Sequence, residues 1–330
     1  SVSCGNYFTG VVTEEGKVYF WGKGLADIFN SESYISMPRE YQIPGKAIKI
    51  SCGPKEEIID SDDQAMFAVI LEDRSVFLRL DYVGLSFRQH LVIINGIIST
   101  GDDISKRNIK ASDISVNGDS LAIVSTDGKL YYLGKDIGVS YHKTVGITSE
   151  GNQIVINPVH IPLPETIKQV SLGFDHIGVL STKGNIYLWG SNLHGQLGQG
   201  FNRRRLMGEG YHISRPEKIT FPVPISFIIC QNNTTAVIDE KGKLYIWGYS
   251  GSIKPYNHVG LEDIIIIADR VNNTIIGDNL PGNDIIRPIP IEIKSSGGVT
   301  IDKFNYIDIG TKFMMVTTND GWVNKWTEDN

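Results

Sequence analysis

The chain has 330 residues, 41% hydrophobic and 21% charged, the balance of a folded globular protein with apolar material for a large core rather than of a disordered one. Its formal charge of −6 and pI near 5.7 exclude the broad positive field behind non-specific nucleic-acid binding, while leaving room for a local basic patch. The longest apolar stretches, such as Ile264 to Ala268, fall far short of the roughly 20 residues that span a bilayer, and the start SVSCGNYF lacks a signal-peptide layout, so the chain reads as soluble with no membrane partner.

From the N-terminus, a short apolar segment closes at Gly5, YFTGVVTEEG reads as a second strand ending in a tight turn at Gly16, and KVYFWG reads as a third. The turn then returns along the chain. LEDRSVFLRL is a worn copy with Arg74 at the glycine position, followed by STDGKLYYLG at Gly128, STKGNIYLWG at Gly184, DEKGKLYIWG at Gly242 and TNDGWVNKWT at Gly321. The anchors are 54 to 58 residues apart until the last interval, which carries an insertion of about twenty residues within 249–303. Glycine before the second strand recurs at Gly173 and Gly310, with Asn117 and Gln231 in other copies. Asp-Gly and Lys-Gly pairs suit a two-residue hairpin, because glycine tolerates positive φ.

Beyond the third strand, INPVHIPLP, SRPEKITFP and IRPIPIEIK place prolines beside apolar residues. Proline cannot donate to a ladder, so these segments belong at a sheet edge. Each copy therefore supplies an inner strand, two hairpin strands and an outer edge strand. A four-stranded sheet of that kind cannot bury both faces alone, and radial packing of such sheets gives an all-β fold, a β-propeller of six four-stranded blades, with seven if the long segment from Tyr249 to Lys303 hides a degenerate blade. The expected organisation is one propeller domain over 1–330.

Trp21, Trp189, Trp247 and Trp326 each lie five residues past an anchor, with Leu133 and Arg79 at the equivalent sites, which marks a packing position between blades. Cys4 and Cys230 lie twelve residues before their anchors, and Cys52 sits in a similar ISCG stretch. Such repeated placement describes a small buried site rather than a nucleophile, a disulfide or a metal ligand, and points to a reducing compartment. The seven histidines show no metal-ligand spacing, and no phosphate loop, H-E-x-x-H, nucleophile elbow or dinucleotide fingerprint occurs. Binding without bond-making, with no catalytic residue, metal or cofactor, is the expectation.

The stretch VSLGFDHIGVLSTKGNIYLWGSNLHGQLGQG, Val170 to Gly200, resembles the repeat of the regulator of chromosome condensation family in its strand-ending glycine, Asp-His pair, turn glycine, Trp-Gly and Gly-Gln-Leu-Gly. The resemblance implies a guanine-nucleotide exchange factor for the small GTPase Ran, which does no covalent chemistry but favours the nucleotide-free GTPase, and it implies docking on chromatin in the nucleus. The alternative on the same scaffold is a non-catalytic protein-interaction propeller, such as a ubiquitin-ligase adaptor, an assembly subunit or an effector domain, nuclear or cytoplasmic. The resemblance makes Asp175 and His176 GTPase-binding residues and turns the segment before this copy into a projecting wedge with Ser149, Glu150, Gly151 and Asn152 at its tip. A second family histidine has no counterpart, since Asn232 and Asn233 stand in its place.

Strand alternation gives an independent geometric expectation. With strand one running upward, the Asp175 turn and the long connections 134–158, 190–216 and 248–288 share one rim, and loops on a rigid scaffold are where binding resides. Arg203, Arg204 and Arg205 fall in one of these connections and suit a nucleic acid such as DNA, a histone-bearing surface or an acidic protein patch. The acidic cluster Glu56, Glu57, Asp60, Asp62 and Asp63 belongs to an insertion of the second copy and suits a basic partner.

Overall fold

The computed structural model describes residues 1–5, 7–25, 29, 34–53, 66–79, 92–94, 109–117, 120–135, 145–147, 153–192, 195–198, 212–249, 264–266, 289–293, 303–309, 313–318 and 323–327. By contact, the chain forms two compact units, one of Ser1–Asp136 with Tyr141–Leu172, the other of Ile137–Ser140 with Gly173–Asn330.

In the first unit, β1 (Val2–Cys4), β2 (Phe8–Val12), β3 (Val18–Lys23) and β4 (Tyr34–Tyr41) form a meander in that order. A second meander joins β5 (Ala47–Gly53), β6 (Met66–Leu71), β7 (Val76–Arg79) and β8 (Val92–Ile94). The third sheet holds β9 (Ala111–Asn117), β10 (Ser120–Ser125), β11 (Leu130–Lys135), β12 (Val145–Ile147) and β13 (Gln153–Ile161), in the order β12-β13-β11-β10-β9. β14 (Ile167–Leu172) ends this unit. In the second unit β15 (His176–Ser181), β16 (Ile186–Ser191) and β17 (His212–Ile219) are neighbours in that order. There follow β18 (Ile225–Gln231), β19 (Asn233–Asp239), β20 (Leu244–Tyr249), β21 (Ile264–Ile266) and β22 (Ile289–Ile293), ordered β18-β19-β20-β22-β21, and then β23 (Phe304–Ile309), β24 (Phe313–Thr318) and β25 (Val323–Thr327). The expected four-stranded plan thus gains a fifth strand twice, and the final sheet has three strands among the described residues.

Each hairpin between the second and third strands of a sheet turns at its anchor. φ is +82° at Gly16, +69° at Arg74, +76° at Gly128, +78° at Gly184 and +83° at Gly242, so the arginine copy adopts the glycine conformation. Gly321 lies outside the described residues. The loops contain three residues rather than the expected two. At Gly128, the amide donates to the Ser125 carbonyl at 2.8 Å while the Ser125 amide donates to the Lys129 carbonyl at 2.9 Å. Four of these turns carry a side-chain acceptor three residues before the anchor: Lys17 N, Lys129 N, Asn185 N and Lys243 N donate to the side chains of Thr13, Ser125, Ser181 and Asp239 at 2.9 to 3.2 Å, while at Arg74, where Leu71 holds that place, Ser75 N donates to Asp73 Oδ1 at 2.9 Å. These bonds favour a turn followed by a left-handed residue. The anchor carbonyl then points at the next sheet, where Gly16, Arg74 and Gly128 accept from Ala47, Ala111 and Ile167 at 2.8 to 3.0 Å.

Neighbouring sheets stack through apolar faces. Phe8 and Phe20 meet Phe67 and Phe77 between the first two sheets, with Phe20 and Phe67 centroids 4.6 Å apart. Leu188, Leu197, Cys230 and Trp247 share a core in the second unit, beside a further one of Ala236, Leu244, Phe304 and Val316. Every residue of β6, β10 and β15 is buried, as a sheet covered on both faces requires. Inner strands of the first unit are joined by serines that the repeat carries: Ser3, Ser51 and Ser115 accept the amides of Cys52, Val116 and Leu172 at 2.8 to 3.0 Å.

Trp189 and Trp247 are fully buried and Leu133 nearly so, while Trp21 is half-buried. The side chain of Trp326 lies outside the described residues. The ladder to the outer strand skips at Trp21, Leu133 and Trp189, and the outer residues facing each skip end in Pro38, Pro158 and Pro216. The prolines therefore occupy bulges, where no amide is needed. The fifth strands pair only with 153–155 and 291–293, stopping short of Pro158 and Pro290. None of the three cysteines is in a disulfide; Cys52 and Cys230 are buried and Cys4 is half-buried.

Candidate functional site

Gly173 to His176 form the turn that carries Asp175. The Gly173 amide donates to the His176 carbonyl at 2.9 Å, and a Cβ on Gly173 would lie 2.0 Å from His176 Cε1, so only glycine leaves space for the ring. Two main-chain bonds hold the residues between. The Phe174 amide donates to the Asn232 carbonyl at 2.8 Å, and the Ser191 amide donates to the Asp175 carbonyl at 2.6 Å. Asn232 is left-handed, with φ of +50°, and that twist aims its carbonyl at the turn. Asp175 itself is half-buried. Its bond to Ser191 also puts the Asp175 turn and the start of the long connection after β16 at one end of their sheet, as strand alternation requires.

His176 is buried beneath that turn, 1% exposed. Its Nε2 lies 2.9 Å from Thr235 Oγ1, which donates its single proton to the Gln196 carbonyl at 2.7 Å. The hydroxyl can therefore only accept from the ring, so Nε2 carries the proton and Nδ1, buried without a hydrogen bond, is the bare nitrogen. Burial pushes the His176 pKa from 6.5 down to about 4, opposed by the charge of Asp175 and by the Thr234 main chain. Trp247 Nε1 donates to the same Gln196 carbonyl at 2.9 Å. The glutamine of Gly-Gln-Leu-Gly thus ties the packing tryptophan of one sheet to the histidine of another. Burial likewise raises the Cys230 thiol to about 12, which keeps it protonated and unreactive.

The first sheet repeats this geometry with other side chains. Gly5 donates to the Phe8 carbonyl at 2.9 Å, a Cβ on Gly5 would lie 2.2 Å from the Phe8 ring, and Lys23 N donates to the Tyr7 carbonyl at 2.8 Å. Phe8 takes the place of His176, and Tyr7, 63% exposed, takes that of Asp175. Asn233 holds the equivalent position in the fifth sheet.

The described structure brings Asp175 and His176 together with Asn232, Thr235, Gln196 and Trp247. It describes strands β12 and β13 on either side of 148–152, paired from Val145 with Val155 to Ile147 with Gln153. The tip residues Ser149, Glu150, Gly151 and Asn152 lie outside the described residues, as do Arg203, Arg204 and Arg205 and the cluster Glu56, Glu57, Asp60, Asp62 and Asp63. Thr235 escaped the sequence reading, as did the parts that Gln196 of Gly-Gln-Leu-Gly and Asn232 play at this turn. Their signals were the glutamine between turn glycines and a threonine five residues past a cysteine, which Thr9 repeats after Cys4. Among the described residues, no helix is long and apolar enough to cross a membrane.

Residues 167–196 and 183–238 match the regulator of chromosome condensation (RCC1) repeat. The chain is similar to mouse serine/threonine-protein kinase Nek9, 22% identical over 265 residues covering 76% of this chain and 23% of that protein. It is similar to the mouse RCC1-like G exchanging factor-like protein, 28% identical over 127 residues covering 36% and 27% respectively. The chain spans about a quarter of the length of these curated relatives. Among solved structures, yeast Prp20p, described with its binding properties to Gsp1p and histones, superimposes with a TM-score of 0.63 at 15% identity, over 94% of this chain and 66% of that one. The repeat matches across the Asp175 turn and that shared fold show a β-propeller that carries the regulator of chromosome condensation (RCC1) repeat over residues 167–238.

Proposed function

We propose that the chain is a guanine-nucleotide exchange factor for a small GTPase of the Ran type, acting through the sheet ends that carry the Asp175 turn. The observation that supports this reading is the build of that turn. Its main chain is clamped by Asn232 and Ser191 and floored by a buried neutral histidine, so a half-exposed carboxylate is presented in a fixed position. A fixed carboxylate can take a lysine or arginine of a GTPase in a charge-assisted bond without ordering itself on binding. In this reading His176 positions Asp175 from below, and Ser149, Glu150, Gly151 and Asn152 form the wedge tip joining β12 to β13. Exchange follows when the nucleotide-free GTPase is bound better than the loaded form, so that GDP leaves faster.

Prp20p, described with its binding properties to Gsp1p and histones, supports the partner class; a chromatin role in the nucleus belongs to the same proposal, with Arg203, Arg204 and Arg205 as the proposed contacts to histones or DNA. The test is release of fluorescent GDP from Ran with catalytic amounts of the protein. Acceleration that Asp175→Ala reduces roughly tenfold or more supports the reading, and unchanged release with excess protein removes it. A second reading, a non-catalytic interaction propeller, is favoured by Asn233 at the position where the family resemblance implies a histidine, and by similarity to a chain named as a kinase. A stoichiometric complex without any effect on nucleotide release would favour it.

A further inference from the structure

The Gly184 hairpin stands at the opposite end of its strands from the Asp175 turn. The residue before the anchor is Glu15, Asp73 and Asp127 at the first three anchors, Lys183 and Lys241 at the next two, and Asp320 at the last, which lies outside the described residues. In the first unit two hairpin lysines have ion-pair partners. Lys129 Nζ lies 2.6 Å from Asp127, whose carboxyl its hydrogen bond pulls down to about 2, and Lys17 Nζ lies 3.6 Å from Glu40.

In the second unit Lys183, Lys241, Lys243 and Lys303 are all exposed, and none has an ion pair among the described residues. They follow one hydrogen-bonded path. Ile225 N donates to the Gly184 carbonyl at 2.8 Å, Glu240 N to the Pro224 carbonyl at 2.9 Å, and Phe304 N, next to Lys303, to the Gly242 carbonyl at 2.9 Å. Glu240 is the only exposed carboxylate in these two hairpins, because Asp239 turns inward, 1% exposed, accepting the amides of Lys241 and Lys243 at 2.9 Å each and the Tyr245 hydroxyl at 3.3 Å. That inward carboxylate stiffens the turn and leaves both lysine side chains on its outside.

We infer that this end of the second unit is a docking surface for an acidic polypeptide, an extended Asp/Glu-rich segment of a partner. Four exposed ammonium groups on a braced main chain complement a run of carboxylates, in a molecule whose net charge is −6. A nucleic acid is the poorer fit. None of the four is an arginine with the fork that grips phosphate, and the ring on this path, that of Phe304, is buried away from any base.

The experiment uses the full chain with a fluorescein-labelled oligoglutamate peptide and a single-stranded oligonucleotide of equal charge, each followed by fluorescence anisotropy against salt. The peptide is expected to bind and to weaken as salt rises. The Lys183→Gln/Lys241→Gln/Lys243→Gln/Lys303→Gln variant is expected to lose about tenfold or more in affinity, with an unchanged thermal melt because all four side chains are exposed. Lys17→Gln/Lys129→Gln, which removes paired lysines from the first unit, is expected to bind as the parent does. No peptide binding, equal binding by the fourfold variant, or tighter binding of the oligonucleotide each overturns the inference. GDP release from Ran is independent of these outcomes.

Discussion

The turn at Tyr7–Phe8 and the turn at Asp175–His176 are built alike, down to the glycine beneath the ring and the main-chain bond from the end of the third strand. One presents a phenol and buries a benzene ring; the other presents a carboxylate and buries an imidazole. The backbone supplies the geometry in both, so side chains can change the chemistry of the rim without rebuilding it. The second ring also brings a hydrogen-bond network and a pH dependence that the first lacks.

Removing the ring from the apolar version breaks the comparison most sharply. Phe8→Ala is expected to cost about 3–5 kcal/mol, because the ring packs against Phe20 in a closed core, and denaturant midpoints at constant m-value measure it. Next comes acid. His176 has a folded pKa near 4 against an ordinary 6.5, so between these pH values the unfolded chain binds a proton that the folded chain refuses. Stability is therefore complete above about pH 6.5, falls as pH drops toward 4 by about 3 kcal/mol, and loses nothing more to this group below that. His176→Phe, which copies the first sheet, should flatten this slope in unfolding curves taken at pH 7 and pH 4.5; an unchanged slope would assign it to other groups.

Asp175→Tyr completes the copy at the surface. Because the main chain of Asp175 holds the turn, stability should move by less than about 0.5 kcal/mol, while GDP release from Ran slows roughly tenfold or more under the proposed function. A large drop in melting temperature would mean that the carboxylate is structural. The smallest effect concerns the worn anchor. Arg74 sits at φ +69°, a conformation costing a side chain roughly 1–2 kcal/mol. Allowing for the extra freedom of glycine in the unfolded chain, Arg74→Gly should stabilise by about 0.5 kcal/mol, visible as a small rise in melting temperature.

Features set by neighbours in the chain were legible beforehand. Arg74 could be aligned with glycines from spacing alone, and the structure gives it their φ. Trp189 and Trp247 were readable as packing residues for the same reason, their constant distance from the turn, and both are buried. The hairpin length differs from the expected two residues because the closing pairs, such as Ser125 with Lys129 and Leu71 with Ser75, lie outside the two-residue pattern that the glycine suggests. The pairing of β12 and β21 as fifth strands of their sheets was not legible, because three residues become a strand only beside a partner edge already in place.

The sequence by itself determined where the chain reverses and which residues recur, since turn chemistry and strand alternation act over a few residues. Only tertiary structure decided that the histidine of the Asp-His pair lies buried while the aspartate reaches the surface. That choice depends on Thr235 and Gln196, 59 and 20 positions away, and on the left-handed Asn232 that clamps the turn. Desolvation and hydrogen-bond satisfaction are properties of what folding gathers around a group, and no local spacing encodes them.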